Sequence, residues 1–338
     1  MKYKLFGKSG LRVSELCLGT MTFGTEWGYG ADYEGSKALF DRFVNAGGNF
    51  LDTANRYTEG SSERYLGEFI KSDRHRFVVA TKYTLFDRKG DPNFSGNHRK
   101  NMMRSVDESL KRLDTEYIDL FWVHAWDFTT PVEEVLRGLD DLVRSGKVHY
   151  IGISDTPAWV VSQMNTMANL RGWEAFVGLQ IEYSLLARTP ERELLPMAKS
   201  LGLSVTPWGA IGGGALTGKY LKGENGRVPE QSLRRNDRSQ IIAAETVKIA
   251  QELGVPAAAV ALQWTRQRDQ SVIPIVGASR AHQLDDSLAC VNVTIPDEMM
   301  LRLDEVSKIE LGFPHDFLTG MAREIIFGGT QDQIEMRK

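Results

Sequence analysis

The sequence has few cysteines, no long hydrophobic run and no excess of charge of one sign. Its 338 residues include two cysteines, Cys17 and Cys290, which leaves no disulfide framework and no CxxC metal site. The first residues lack the apolar stretch of a signal peptide, and no later segment stays apolar long enough to span a bilayer. We therefore expect a reducing, cytoplasmic location and no membrane partner.

The charge balance argues against a nucleic-acid partner. Lys and Arg number 41 and Asp and Glu 44, so the formal net charge is −3 and no large basic field is available to hold a phosphate backbone. Hydrophobic residues make up 42% and charged residues 25% of the chain, which is ordinary for a globular protein and excludes disorder. The six histidines form no ligand cluster, so we expect no metal ion.

Short apolar segments with β-strand character alternate with longer segments of helical spacing. The predicted strands are 15–18, 49–52, 77–82, 118–124, 150–154, 178–182, 204–207 and 272–276. The predicted helices are 33–46, 61–71, 99–113, 132–145, 157–170, 191–201, 241–253 and 256–268. Eight strands in this alternation predict an α/β fold, a (β/α)8 TIM barrel. The competing open sheet is disfavoured, because no G-x-G-x-x-G follows the first strand.

One barrel domain, 1–338, accounts for a length that would also allow two domains. The extra length is assigned to an N-terminal β-hairpin of 3–6 and 11–14, a long loop at 212–238 after strand seven, and a C-terminal tail after Ser307. Chemistry in this fold lies at the C-terminal ends of the strands, so the residues that close each strand are the candidates for a site.

Polar side chains close three neighbouring predicted strands. Asp52, Lys82 and His124 end strands two, three and four, and Tyr57 follows Asp52 by five positions. Each alone is more often structural, but together they predict an ammonium beside a phenol, with a carboxylate to hold the ammonium. An adjacent ammonium favours the phenolate and lowers the tyrosine pKa from about 10, as a general acid/base requires.

The sequence resembles the aldo-keto reductases over nearly its whole length. The motifs that carry the resemblance are Gly19-Thr20-Met21, Leu51-Asp52-Thr53-Ala54 with Tyr57, Lys82, the run 119–124, Gly152-Ile153-Ser154, Gln180 with Tyr183-Ser184, and Gly277-Ala278-Ser279. Within the superfamily the chain is most similar to the longer bacterial reductases and the potassium-channel β-subunit branch, judged by the loop at 212–238.

The resemblance implies an NADPH-dependent oxidoreductase that moves a hydride between nicotinamide C4 and an aldehyde or ketone carbon. Tyr57 would exchange the proton with the substrate oxygen, and Lys82, paired with Asp52, would lower the tyrosine pKa. His124 would orient the carbonyl or share in the proton transfer. The partner is then a small carbonyl or alcohol compound.

The resemblance also implies cofactor contacts along the rim. They are Gly19, Thr20, Met21, Asp52, Ser154, Asp155, Gln180, Trp208, Gly209, Ala210, Ile211, Gly212, Lys219, Arg235, Gly277, Ser279, Arg280, Gln283 and Asp286. Ser154 and Gln180 would meet the nicotinamide carboxamide, and Tyr183 or Trp208 would stack on the ring. Asp155 replaces the Asn of most relatives, so its carboxylate accepts hydrogen bonds without donating any.

Glycines after strand seven are expected to let backbone approach the cofactor pyrophosphate, with Lys219 and Arg234 or Arg235 closing over it. The segment also nearly matches a P-loop, but Tyr220 stands where that motif has the Ser or Thr whose hydroxyl binds magnesium. A flexible loop with solvated arginines is the alternative.

The helix after strand eight is expected to select the cofactor. Arg280 at its start suits the adenosine 2′-phosphate and favours NADPH. Asp286-Ser287 replaces the Glu-Asn of many relatives, so NADH use stays open.

Aromatic residues in the loops at the barrel mouth suit an aryl or other hydrophobic carbonyl compound. The expected substrate pocket comprises Trp27, Tyr57, Phe86, His124 and Trp126. Simple loop packing is an equal alternative for the aromatic residues. Two other functions stay open: a Schiff-base aldolase that uses Lys82 as nucleophile, and a cofactor-bound regulatory redox sensor like the channel β-subunits.

Overall fold

An N-terminal hairpin precedes a ring of eight parallel strands in the computed structural model, which describes residues 1–224 and 226–335. The hairpin strands are β1 (Tyr3–Leu5) and β2 (Arg12–Ser14). The ring contains β3 (Cys17–Gly19), β4 (Phe50–Asp52), β5 (Val78–Tyr83), β6 (Ile118–Val123), β7 (Val148–Ser154), β8 (Gly178–Glu182), β9 (Ser204–Trp208) and β10 (Ile275–Val276). From β3 to β9 each strand pairs in parallel with its successor, β10 pairs with β3, and a gap remains between β9 and β10. A bridge between Val205 and Val272 nearly closes the remaining gap, which confirms the predicted (β/α)8 barrel.

Helices surround the ring on its outer face. They are α1 (Tyr33–Asn45), α2 (Ser61–Ile70), α3 (Arg99–Leu113), α4 (Val132–Arg144), α5 (Ala158–Arg171), α6 (Leu194–Leu201), α7 (Asp237–Leu253), α8 (Ala257–Arg268), α9 (Ala281–Leu288) and α10 (Asp297–Val306), followed in the tail by α11 (His315–Thr319) and α12 (Met321–Phe327). The described residues include no helix that is both long enough and apolar enough to cross a membrane.

Element boundaries differ from the sequence predictions where side chains cap a helix or a strand is cut short. Helix α7 begins four residues before the predicted position 241, because Asn236 caps it by accepting a hydrogen bond from the Ser239 backbone at 2.9 Å. The predicted eighth strand shortens to Ile275–Val276. The predicted loop at 212–238 contains short 3-10 turns, and its Asn225 lies outside the described residues. That the whole chain forms one domain stays a prediction.

Side chains that alternate along the strands form two separate cores. Leu18, Leu51 and Phe121 point outward into the layer between strands and helices, whereas Phe50 and Trp122 belong to the core inside the ring. The period of two therefore assigns successive residues to opposite faces of the ring.

The hairpin closes the N-terminal end of the ring. Phe6, in the hairpin turn, is fully buried, and its ring centroid lies 5.5 Å from that of Phe50 and 6.3 Å from that of Trp122. The Gly7 amide donates to Ser204 Oγ at 2.7 Å, at the start of β9. Chemistry that needs an opening is thereby restricted to the opposite end of the barrel.

Two glycines make room for the largest side chain inside the ring. A Cβ at Gly152 on β7 would overlap the Trp122 ring, and a Cβ at Gly178 on β8 would lie 3.0 Å from it. Small and large residues are thus matched across neighbouring strands, which keeps the interior filled without strain.

We predict that Gly152→Ala lowers the free energy of unfolding by about 1–3 kcal/mol, because the added methyl group collides with Trp122 in a packed interior. Chemical denaturation measures the loss. The matched control is Gly10→Ala in the hairpin turn, where no atom lies within 4 Å of the new methyl group. Equal stability of the two variants would contradict this account of the interior.

Candidate active site

The polar residues that end the strands face the interior of the ring at its C-terminal end. Asp52, Lys82 and His124 lie an even number of positions from the inward-facing residues of β4, β5 and β6, so their side chains face inward as well. Lys82 is fully buried and Asp52 is 2% exposed. Two charged groups in such a position must be paired with each other.

Lys82 is the centre of the site. Its Nζ donates to a carboxylate oxygen of Asp52, to the Thr53 carbonyl oxygen at 2.8 Å and to the Tyr57 hydroxyl at 3.1 Å. Gln180 Nε2 on β8 donates to Asp52 Oδ2 at 3.0 Å, across the interior of the barrel. The ring of His124 lies edge-on to that of Tyr57, with centroids 5.9 Å apart. All four predicted catalytic residues therefore lie together.

Buried hydroxyl groups hold the chain that carries Asp52. Thr20 Oγ1 donates to the Asp52 carbonyl oxygen at 3.0 Å. Ser62 Oγ on α2 lies 2.7 Å from Thr20 Oγ1 and 2.8 Å from Thr53 Oγ1. Thr20 thus holds the backbone at Asp52, and its hydroxyl is already hydrogen-bonded within the protein.

Left-handed backbone follows Tyr57. Thr58 and Glu59 have φ of 46° and 52°, which is uncommon for residues other than glycine, and strain of this kind is concentrated at functional sites. Thr58 Oγ1 stabilises the turn by donating to the Phe23 carbonyl oxygen at 2.6 Å. The turn carries the Tyr57 side chain back toward Lys82.

Burial and charge act in opposite directions on Tyr57. Burial raises the pKa of the Tyr57 hydroxyl above its usual value, and the charge and hydrogen bond of Lys82 oppose this rise without cancelling it. The expected net lowering of the tyrosine pKa is therefore wrong, because the desolvation of the hydroxyl outweighs the adjacent ammonium. Burial also lowers the pKa of Lys82, but Asp52 and Tyr57 outweigh that effect, so its pKa is raised and the ammonium persists.

His124 is held in its neutral form. Burial, assisted by the charge of Lys82, lowers the pKa of the imidazole well below its usual value. Nδ1 is buried and forms no hydrogen bond within the described residues. A neutral imidazole at this position can orient a bound group but does not supply a proton readily.

The predicted nicotinamide contacts lie at the same end of the ring as Lys82. Ser154 Oγ at the end of β7 is buried and has no hydrogen-bond partner among the residues described. Asp155 follows it with a φ of 40°, and its Oδ1 accepts a hydrogen bond from Trp208 Nε1 at 3.1 Å. Ser154, Gln180 and Trp208 all share the inward parity of their strands. The Ser154 hydroxyl could therefore form a hydrogen bond with the amide group of a bound ring.

Tyr183 does not reach the rim. Its side chain is 1% exposed, its ring packs 5.4 Å from that of Trp264, and its hydroxyl donates to Glu191 Oε1 at 2.8 Å. Tyr183 lies one position after the last residue of β8, and its parity directs it outward into the helical layer. The expected alternative to Trp208 as a stacking residue is therefore wrong.

The loop after β9 brings glycines and arginines to the rim. Gly209, Ala210, Ile211 and Gly212 follow Trp208 directly, and the two glycines have φ of 69° and 61°. Arg234 pairs with Glu182 at the end of β8 at 2.5 Å. Glu182 was not among the predicted site residues, although its even separation from Gln180 indicates the inward face.

Two other basic residues of the same loop face Tyr220 instead. Lys219 Nζ lies 4.9 Å from the centroid of the Tyr220 ring, and the Arg235 guanidinium lies 4.4 Å from it. Arg235 Nη1 also donates to the Val228 carbonyl oxygen at 3.3 Å. Of the two arginines considered, Arg234 is thus the one paired at the strand ends.

The remaining predicted cofactor residues lie between β3 and α9. Ser279 donates to Gln283 Oε1 from its amide at 3.1 Å, Arg280 precedes α9, and Asp286 is exposed on that helix. Gly277 is exposed after β10, Gly19 ends β3, and Met21 is half-buried beyond it. These positions extend from the rim toward the N-terminal end of α9.

Trp27 packs against Tyr57 at the mouth, and Arg56 lies between Trp27 and Phe86. The Trp27 ring is 6.3 Å from that of Tyr57, and its Nε1 donates to Glu59 Oε1 at 3.2 Å. The Arg56 guanidinium lies 5.4 Å from the Trp27 ring and 4.5 Å from the Phe86 ring. Arg56 was missed by sequence reasoning, although it immediately precedes Tyr57. On the opposite side, half-buried Trp126 donates from its amide to the Asp155 carbonyl oxygen at 3.4 Å.

Comparisons with known proteins identify the family of the chain. The model of the Aldo/keto reductase family matches residues 15–308. A norsolorinic acid reductase of Emericella nidulans is 41% identical over 324 residues, which cover 92% of this chain and 82% of that protein. An aryl-alcohol dehydrogenase (NADP(+)) of Phanerodontia chrysosporium is 37% identical over 329 residues, 90% of this chain and 86% of that protein. The chain therefore belongs to the aldo/keto reductase family and is an oxidoreductase of carbonyl and alcohol groups.

Proposed function

We propose that this protein uses NADPH to reduce an aldehyde or ketone group on an aromatic compound, reversibly, with Tyr57 as the proton donor. The observation that carries the proposal is the hydrogen bond of 3.1 Å between Lys82 Nζ and the Tyr57 hydroxyl, inside a buried cluster at the mouth of the barrel. A carbonyl oxygen beside Tyr57 would meet one proton donor and one buried cation, which together stabilise a developing alkoxide.

The rim suits a nicotinamide cofactor, and the buried, unpartnered Ser154 hydroxyl is the observation that supports the fit. Ser154 and Gln180 would hold the carboxamide, Trp208 would lie against the ring, and the glycines from Gly209 would approach the pyrophosphate. Arg280 would bind the 2′-phosphate of NADPH. When bound, the cofactor supplies the hydride.

Tyr57 is suited to donate its proton during reduction. Because burial raises the pKa of Tyr57, the hydroxyl is protonated before the reaction. Once the proton has moved to the substrate oxygen, the remaining phenolate faces the Lys82 ammonium, which Asp52 keeps in position. His124, held neutral, would orient the carbonyl by a hydrogen bond rather than compete as the acid.

The same charges argue against a Schiff-base aldolase. Such an enzyme needs a neutral lysine amine as nucleophile. Here Asp52 and Tyr57 raise the pKa of Lys82, and all three of its described partners hold the ammonium in place. The regulatory redox-sensor alternative is compatible with the same site and stays a prediction.

An aromatic substrate is supported by the aromatic side chains of the mouth loops and by the names of the relatives. The Trp27 ring lies against that of Tyr57, and the Arg56 guanidinium lies between the Trp27 and Phe86 rings. One relative is named an aryl-alcohol dehydrogenase. Stacking and edge contacts between rings would orient an aryl carbonyl toward Tyr57.

We predict that Tyr57→Phe lowers kcat for aryl aldehyde reduction by about 10²–10⁴-fold while NADPH binding persists, because only the proton donor is lost. Turnover is followed by NADPH absorbance, and binding by fluorescence titration. Tyr65→Phe on α2 is the control, because it removes a hydroxyl from a ring that packs against Tyr33 away from the site. Wild-type turnover in Tyr57→Phe would overturn the assignment of the acid.

We predict that Trp27→Ala raises KM for aryl aldehydes about tenfold and leaves KM for short aliphatic aldehydes within about twofold, since one ring contact contributes about 0.5–1.5 kcal/mol. Steady-state kinetics on both substrate classes measure the difference. Trp173→Ala is the control, because Trp173 lies beyond the C-terminus of α5, at the opposite end of the barrel. Equal losses for both substrate classes in Trp27→Ala would argue against an aryl pocket.

A further inference from the structure

A carboxylate stands at the rim where it would face the cofactor ring. Asp155 immediately follows Ser154 at the end of β7 and has a backbone φ of 40°. Its Oδ1 accepts a hydrogen bond of 3.1 Å from Trp208 Nε1. Asp155 is therefore tied to the aromatic side chain that we assign to the nicotinamide ring.

The charge of Asp155 is not cancelled by a neighbouring cation. Glu182, the other carboxylate at this point of the rim, is paired with Arg234 at 2.5 Å. Among the described residues no lysine, arginine or histidine lies within 4.0 Å of the Asp155 carboxylate. The indole N–H of Trp208 is a neutral donor, so it leaves the negative charge in place.

Asp155 is also electrostatically coupled to the reacting groups. Although the residue is exposed at the mouth, loss of hydration around its carboxylate raises the pKa of Asp155, while the Trp208 hydrogen bond and the charge of Lys82 oppose this rise. The same carboxylate contributes to the raised pKa of Tyr57. Its field therefore reaches the place where hydride and proton would be exchanged.

Hydride transfer changes the charge of the nicotinamide ring. The reduced ring is neutral, and on losing a hydride to the carbonyl carbon it becomes a cation, while the Tyr57 proton goes to the carbonyl oxygen. A fixed carboxylate stabilises a cation relative to a neutral group, and the effect is large where water is partly excluded. An amide at the same position would lack this charge.

We propose that the Asp155 carboxylate favours the oxidised, cationic form of the bound cofactor and thereby makes bound NADPH a stronger hydride donor. The inference rests on the proposed function, because it requires a nicotinamide ring beside Ser154 and Trp208. It assigns Asp155 a task that an asparagine cannot perform: it sets the relative affinity for NADP+ and NADPH.

The test is the ratio of the dissociation constants for NADP+ and NADPH, measured by calorimetry and fluorescence titration without substrate. Asp155→Asn removes the charge and keeps the shape of the side chain. We expect the ratio Kd(NADP+)/Kd(NADPH) to rise about tenfold, mainly through weaker NADP+ binding. A tenfold change corresponds to about 30 mV in the potential of the bound two-electron couple.

The matched control is Asp107→Asn on α3, which makes the same change in net charge at an exposed position paired with Lys147. An unchanged ratio in Asp155→Asn, or equal weakening of both nucleotides, would overturn the role of Asp155 while leaving the proposed reductase intact. Failure of the wild-type protein to bind either nucleotide would instead overturn the proposed function itself.

Discussion

The buried ion pair of Lys82 and Asp52 is the interaction on which the rest of the site depends. Neither charge reaches water, so each is stable only while the other is present. The pair joins the ends of β4 and β5. Gln180 on β8 donates a hydrogen bond to Asp52 across the barrel, and the Tyr57 hydroxyl accepts one from the Lys82 ammonium. The arrangement of Asp52, Tyr57 and Gln180 thus follows the hydrogen bonds that neutralise and hold one buried lysine.

The opposite end of the barrel complements this arrangement. Phe6 and Trp122 fill the lower interior, and Gly152 gives the Trp122 ring its space. Because that end is closed and apolar, the polar residues Asp52, Lys82 and Gln180 lie at the other end of the interior, beneath the mouth. The loop that carries Trp27 packs its ring against Tyr57 at that open end.

Local sequence patterns were sufficient to predict the barrel and the cluster of Asp52, Tyr57, Lys82 and His124. The alternation of strands and helices and the polar residue at each strand end contain that information, because the C-terminal ends of parallel strands meet at one rim. The same alternation would have corrected the assignment of Tyr183, which is an odd number of positions from Gln180 and so faces outward. Parity along a strand is therefore as informative as residue type.

Properties that depend on contacts between loops were beyond sequence reasoning. The direction of the pKa change at Tyr57 reflects burial by several loops as well as the adjacent ammonium. The position of Arg56 between two rings and the pairing of Glu182 with Arg234 join residues far apart in the chain. Such contacts have no short-range signature.

The most direct measurement of the central claim is a double-mutant cycle on the free energy of unfolding with Asp52→Asn and Lys82→Met. The account predicts that each single variant loses about 3–5 kcal/mol, because it strands a buried charge. The double variant should lose clearly less than the sum of the two, since it removes both charges together. Additive losses would contradict a site organised by this pair.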